Sequence, residues 1–255
     1  MNVDEVLTIF RSELRNVEWR GEKLEQLSEV TRRSSTDGIQ NSVIAFDVDE
    51  ESAGKAILSQ IDHFRRLNRE FEWKVFSFDS PVDLVLRLGR LGFIVGNKEA
   101  VVAYDVASGL EPFEGSFDCK VVHVCRTKQL ADYRHVAEEI FKKDYSFTID
   151  QLGEALQKGL KGHDAYIAYH KTRPVAIGRL YTDPNSQFAG LYGGGTLAEF
   201  RGRGFYRAIL RARAQDAKAS GARYLQVDAL PTSLPILIRL GFKRIADTWP
   251  CSFTG

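Results

Sequence analysis

The chain has 255 residues, 44% of them hydrophobic and 27% charged, with a formal net charge of +1. At about 100–200 residues per domain this fits one large domain or two modest ones, and the ordinary composition excludes wholesale disorder, collagen-like repeats and a disulfide scaffold. No apolar run approaches the ~18 residues that cross a bilayer, and Asp4 and Glu5 stand where a secretory signal would carry Lys or Arg, so a cytoplasmic location is expected.

The first 35 residues predict helix, in one or two pieces. Val6, Ile9, Phe10 and Leu14 recur at helical spacing, as do Leu24, Leu27 and Val30 after Trp19-Arg20-Gly21. Ser42–Asp47 has the β-branched and aromatic run of a strand. A helix from Glu51 to Leu67 puts Ala56, Ile57, Ile61 and Phe64 on one face, and Phe71–Phe78 alternates at period two as a strand. A short helix carries Leu84, Leu88 and Leu91, followed by strands at Phe93–Val95 and Ala100–Val106. Residues 107–118 hold two Gly and a Pro and read as a linker. Beyond it come a strand (Cys119–Cys125), a helix (Lys128–Phe141) and a second helix (Ile149–Leu160) capped by Thr148. Strands follow at Ala165–His170, Pro174–Tyr181 and Gln187–Leu197, then a helix from Gly204 to Ala219 that stops at Gly221. Strand Tyr224–Ala229, short helix Leu234–Leu240 and strand Phe242–Trp249 complete the order.

The small net charge conceals a division. Residues 1–117 carry 14 Lys and Arg against 21 Asp and Glu, a balance of −7, and residues 118–255 carry 21 against 13, a balance of +8. Such a split fits a basic half that meets an anionic ligand, or two complementary faces that attract each other; charge alone does not choose. The halves are also alike. Residues 79–93 align without a gap on residues 228–242, identical at six of fifteen positions: Asp79/Asp228, Leu88/Leu237, Arg90/Arg239 and the shared Leu-Gly-Phe. Upstream, Lys55-Ala-Ile-Leu58 matches Arg207-Ala-Ile-Leu210, and an internal duplication accounts for both matches.

The most informative stretch is the turn Arg201-Gly-Arg-Gly-Phe-Tyr206, between a strand and a helix. A helix N-terminus offers unpaired N–H groups and a partial positive charge, glycines admit a phosphate close to the backbone, and Arg201 and Arg203 add charge. The helix turns Phe205, Ile209 and Ala212 inward, with Arg207, Arg211 and Lys218 outward. There is no GxxxxGK[ST] and no GxGxxG, which excludes a P-loop and leaves a Rossmann site without support. Cys119, Cys125 and Cys251 form no CxxC pair, no HExxH or EF-hand pattern occurs, and the five His lie far apart, so no metal ligand set is visible. Nucleic-acid binding by the basic half lacks interleaved aromatics and a motif.

The turn resembles the R/Q-x-x-G-x-G/A acyl-CoA motif of the GCN5-related N-acetyltransferases (GNAT), and Val227-Asp-Ala with Pro235–Phe242 resembles that fold's later strand, helix and Leu-Gly-Phe corner. The resemblance covers Cys119–Trp249 closely and the first half through the repeat. It implies an α/β (α+β) protein with a tandem acyl-CoA N-acyltransferase (GNAT) fold and a mixed central sheet flanked by helices in each half. Residues 1–110 would be a degenerate GNAT-like domain without a cofactor turn, since acidic Asp49–Gly54 replaces the turn there, and 118–255 the acetyltransferase domain. It also implies acetyl-CoA as cofactor and a small-molecule amine as acceptor, with no nucleic acid or membrane partner; a homodimer is among the states the sequence allows.

The resemblance further implies that the pantetheine arm pairs with Gly195, Thr196 and Leu197. The pyrophosphate would sit on the N–H groups from Gly202 through Arg203, Gly204 and Phe205 to Tyr206, beside Arg201, and Ser233 would join the cofactor site. Tyr206 stands where the motif has a small residue and is expected to turn outward. The Tyr that often protonates the departing thiolate falls on Leu237, which has no proton to give. The catalytic candidates by position are Tyr192, just before the glycines, Asp228 at the end of its strand, and Glu199 in the turn, with a backbone N–H near Gly195 or Thr196 for the oxyanion. Asp79, the counterpart of Asp228 in a half without a cofactor turn, argues for a structural role for Asp228. Glu138, Glu139 and Asp144, in the segment that roofs the acceptor in this family, would suit a cationic amine or a solvated helix end.

Overall fold

Asn2 starts the first helix by accepting with Oδ1 from the N–H of Asp4 and Glu5, and α1 runs Val3–Asn16 with Val6 and Phe10 buried. The computed structural model describes residues 1–18, 21–35 and 40–255, so Trp19 and Arg20 of the sequence reading lie outside the described residues. Next come β1 (Glu22–Gln26), β2 (Val30–Ser35), β3 (Asn41–Phe46), α2 (Ala53–Arg66), β4 (Phe71–Phe76), α3 (Leu84–Arg90), β5 (Ile94–Val95) and β6 (Glu99–Asp105). The chain continues with β7 (Lys120–His123), α4 (Thr127–Phe141), α5 (Ser146–Lys158), β8 (His163–His170), β9 (Arg173–Tyr181), β10 (Phe188–Thr196), α6 (Phe205–Ala219) and β11 (Tyr224–Ala229). It ends with α7 (Leu234–Arg239) and β12 (Lys243–Phe253).

The elements gather into two compact units. Unit 1 is residues 1–103 with 228–255, and unit 2 is residues 104–227. The expected division at 1–110 and 118–255 follows the linker, whereas the compact units do not: the last 28 residues pack with the first unit. The cause is strand pairing. β12 lies antiparallel to β4, with Cys251 opposite Trp73, and antiparallel to β6, with Lys243 opposite Ala103.

In unit 1, β1, β2 and β3 are successively antiparallel, β3 runs parallel to β4, and β12 follows between β4 and β6. The parallel pair needs a crossover, which α2 provides. Its apolar face closes on Val43, Phe46, Trp73, Leu88, Cys251 and Phe253, and Phe64 stacks on Phe71 at 4.3 Å. Residues 22–35 form a hairpin, not helix. Leu24, Leu27 and Val30 share a spacing of three but no buried face: Val30 is in the core, Leu27 is 46% exposed, and a tight turn returns the Leu27 N–H to the Val30 carbonyl.

In unit 2, β7, β8, β9 and β10 are successively antiparallel, and β10 runs parallel to β11 across α6. The run β8–β9–β10–α6–β11 thus repeats β1–β2–β3–α2–β4 in order and direction. Unit 2 adds β7, α4 and α5 ahead of it. α5 begins at Ser146, where the Asp144 carboxylate accepts from the Ser146 N–H, so Thr148 lies in the first turn and is not the cap. β12 extends past the expected Trp249 to Phe253 because Ser252 and Phe253 still pair with β4. Among the described residues no helix is long and apolar enough to cross a membrane, and no group of three His, Cys, Asp or Glu is placed to hold a metal.

Candidate active site

β10 and β11 pair only over Phe188–Gly190 and Tyr224–Gln226. Beyond Gly190 the β11-facing edge of β10 has no partner on β11, while its other edge stays on β9. The register with β9 slips between Tyr192, opposite Arg179, and Gly195, opposite Ile177, so Gly193 and Gly194 carry a bulge. Gly193 sits at φ +54°, where a Cβ is strained. The three glycines also let two helices approach. A Cβ on Gly195 would lie 2.9 Å from Ile140 of α4, and one on Gly194 would lie 3.0 Å from the Tyr206 ring of α6.

In the turn leaving this strand, glycines at positive φ precede the start of α6. Gly202 and Gly204 take φ +73° and +86°, and a Cβ on Gly202 would meet nothing within 4 Å. Gly204 is the N-cap of α6, and no side chain caps the helix. The N–H groups of Phe205, Tyr206 and Arg207 make no hydrogen bond with the described residues. An anion at that end would satisfy them. Arg201 Nε donates to the Thr196 carbonyl at 3.3 Å, and Thr196 Oγ1 is buried without a partner. The Arg203 guanidinium lies 5.3 Å over both the Phe200 and Phe205 rings, which fixes its charge beside the turn. A Cβ on Gly204 would come within 3.0 Å of the Phe117 ring, over which Arg207 stacks at 5.1 Å.

Three expectations change. The Leu197 N–H donates to the Val175 carbonyl and is spent, and Gly195, two residues back in the same antiparallel register opposite Ile177, also turns its backbone to β9, so of the three Thr196 remains for a pantetheine arm. Tyr206 does not turn outward: it is half-buried against Gly194 and Arg213, because the glycine leaves room for its ring. Ser233, the N-cap of α7, donates its hydroxyl to the Leu230 carbonyl within unit 1.

The catalytic candidates separate by their partners. Tyr192 folds over the end of the paired region: a Cβ on Gly190 would lie 2.5 Å from its ring and 3.2 Å from its hydroxyl, and the ring packs 5.0 Å from Tyr181. Glu199 pairs with Arg173 at 2.5 Å, and backbone hydrogen bonding holds its pKa below the usual range, which makes it a weak base. Asp228 accepts from the Lys74 ammonium within unit 1. Its repeat counterpart Asp79 accepts from the Phe76 N–H, and burial pushes its pKa up to about 7. Leu237 is fully buried.

The roof acids do not form an acidic pocket. Glu138 and Asp144 pair with Arg134 at 2.7 and 3.4 Å, and Glu139 faces His135 at 3.7 Å. The charge beneath α4 is instead a cation that the sequence reading missed. Arg179 of β9 is mostly buried and donates from Nη1 to the Tyr181 hydroxyl at 2.9 Å. Arg213 of α6, 1% exposed, packs under Gly178 and Gly194 and donates to the Arg179 carbonyl at 3.2 Å. The signal available was Arg179 itself, a charged residue between Gly178 and Leu180 in an otherwise buried strand.

Residues 134–242 match the acetyltransferase (GNAT) family model. No curated protein matches the sequence. Among solved structures, a GCN5-related N-acetyltransferase from Kribbella flavida superposes with a TM-score of 0.69 at 14% identity, covering 99% of this chain and 96% of that one. A tandem GNAT protein from the clavulanic acid biosynthesis pathway gives 0.60 at 12% identity over 100% of this chain and 88% of its own. A GNAT-family acetyltransferase structure from Novosphingobium aromaticivorans gives 0.54 at 15% identity over 98% and 95%.

Proposed function

We propose, from the premise that residues 134–242 are an acetyltransferase (GNAT) family domain within a tandem GNAT fold, that unit 2 transfers an acetyl group from acetyl-CoA to the amine of a small molecule. The observation that carries the reading is the uncapped start of α6 behind Gly202, where three N–H groups are unspent and the Cβ space is open. These features fit a pyrophosphate. Arg201 and Arg203 supply charge beside it, and Thr196 offers backbone to the pantetheine arm. Bound acetyl-CoA supplies the activated acyl group.

The chain's own residues then have distinct tasks. The bulge at Gly193–Gly194 presents backbone N–H donors where negative charge develops during acyl transfer. Tyr192, with its hydroxyl beside Gly190 at the parting of the strands, holds a proton for the departing sulfur. Glu199 and Asp228 each face a cation already and serve the framework. In this proposal the reaction is cytoplasmic and involves neither nucleic acid nor membrane.

A second reading, a CoA-binding module without turnover, is favoured by Leu237 at the family's tyrosine position, fully buried and without a proton. Free-thiol release from acetyl-CoA with a panel of amines and amino acids separates the two. Turnover is expected, and Tyr192→Phe should lower kcat by about 100-fold with acetyl-CoA affinity unchanged. Tight CoA binding with no thiol release across the panel would contradict the enzyme reading.

A further inference from the structure

Unit 2 buries a guanidinium that meets no carboxylate. Arg179 projects from β9 toward α4, and among the described residues it forms no ion pair. Its Nε is buried without a hydrogen-bond partner, and so is the hydroxyl of Tyr133 on α4, a residue with no exposed surface. Both donors converge on one point. A Cβ on Gly193 would lie 3.4 Å from Arg179 Nε, 3.6 Å from its Nη2 and 3.6 Å from the Tyr133 hydroxyl. Glycine leaves that point empty, at the bulge that follows Tyr192, the residue opposite Arg179.

Buried donors without acceptors are costly, and a buried cation more so, unless something outside the chain completes them. A guanidinium carries its charge at any working pH and has no acceptor, and burial keeps on the Tyr133 oxygen a proton that it can donate. The complement to two donors and a positive charge is an oxygen anion. The acids of the roof do not supply it, since they pair with Arg134 and His135.

We propose that the acceptor carries a carboxylate beside its amine, as an α-amino acid does, and that Arg179 and the Tyr133 hydroxyl hold this carboxylate at the space left by Gly193. The inference rests on the acetyltransferase reading of unit 2, which makes the bulge the place of transfer. A carboxylate fixed at the bulge keeps an amine on the neighbouring carbon within reach of the acyl group. An amine several bonds away would be carried past it.

The test uses the full chain and thermal shift, with CoA at saturation and two matched probe sets, the L-amino acids and their carboxamides. At least one amino acid should raise the Tm while its amide does not. Arg179→Met should weaken that amino acid about tenfold to a hundredfold, and Tyr133→Phe, which keeps the ring, should weaken it by a smaller factor, with the shift from CoA retained in both. Amides that bind as well as acids, an absence of any amino acid shift, or variants that bind like wild type would overturn the proposal. Succinyl-CoA with plain amines supplies the other carboxylate source. A shift beyond that of acetyl-CoA, lost in Arg179→Met, would assign the carboxylate to the acyl group and overturn the acceptor assignment. Amino acid binding without any shift from CoA would instead strike the acetyltransferase reading and leave the carboxylate site standing.

Discussion

The two units solve the same helix end in opposite ways. In unit 1, α2 follows Asp49-Glu-Glu-Ser52, and the Asp49 carboxylate accepts from the Ser52 N–H at 2.7 Å while its carbonyl accepts from Ala53. That helix brings its own anion. In unit 2, α6 follows Arg201-Gly-Arg-Gly204 and brings none, so its first N–H groups remain for a ligand. Unit 2 alone also places two helices, α4 and α5, ahead of the repeated core, whereas unit 1 has the single α1. The duplicated framework is therefore separable from the proposed ligand site. A strand–helix–strand core is kept by burial, while the site depends on a few turn residues and on helices added to one copy.

The repeated pair Asp79 and Asp228 gives the largest expected contrast in stability. Burial raises the Asp79 pKa to about 7, so the fold favours its protonated form. Between about pH 4 and pH 7 the native state holds a proton that the unfolded chain has released, and stability falls as pH rises through that window. Asp79→Asn should therefore raise stability by about 2 kcal/mol at pH 8, with the gain vanishing near pH 4. Asp228 faces the Lys74 ammonium, and Asp228→Asn should have the opposite sign, a loss of about 1–2 kcal/mol at pH 8. Urea denaturation of both variants at pH 5 and pH 8 checks the pair; equal signs at pH 8 would break the contrast.

A smaller effect concerns the self-capped helix. The Ser52 N–H holds the Asp49 carboxyl below the usual carboxylate range, so its stabilisation is present above about pH 4 and lost as pH falls through the lowered pKa. Asp49→Ala should lower the Tm modestly at pH 7 and less at pH 3. Acetyl-CoA affinity should not change, because the proposal places the cofactor at α6 and not at α2.

Much of the architecture was legible because it is local. The helix N-terminal turn, the six shared positions of the repeat and the alternation of β4 all act over a few residues. What failed was non-local or statistically thin. Leu24, Leu27 and Val30 offered only three apolar positions, and a hairpin with a tight turn satisfies them as readily as a helix. The compact units depart from the linker because nothing within Lys243–Phe253 states which strand it will pair with; its register on β4 is a property of the assembled sheet. Gly195 is expected at a cofactor edge, yet Gly195 also admits Ile140 and Gly194 the Tyr206 ring, contacts that require knowing where α4 and α6 lie. Arg179 was overlooked for the same reason: its strand position was evident, but the buried phenol beside it, Tyr133, comes from α4.

Titration calorimetry of the full chain with acetyl-CoA tests the central claim most directly. One site per chain is predicted, with Gly202→Glu weakening it by at least about 100-fold by putting a carboxylate into the open anion space and Asp49→Ala leaving it intact. Two sites per chain, or one site that survives Gly202→Glu at full affinity, would contradict the assignment of the cofactor to unit 2.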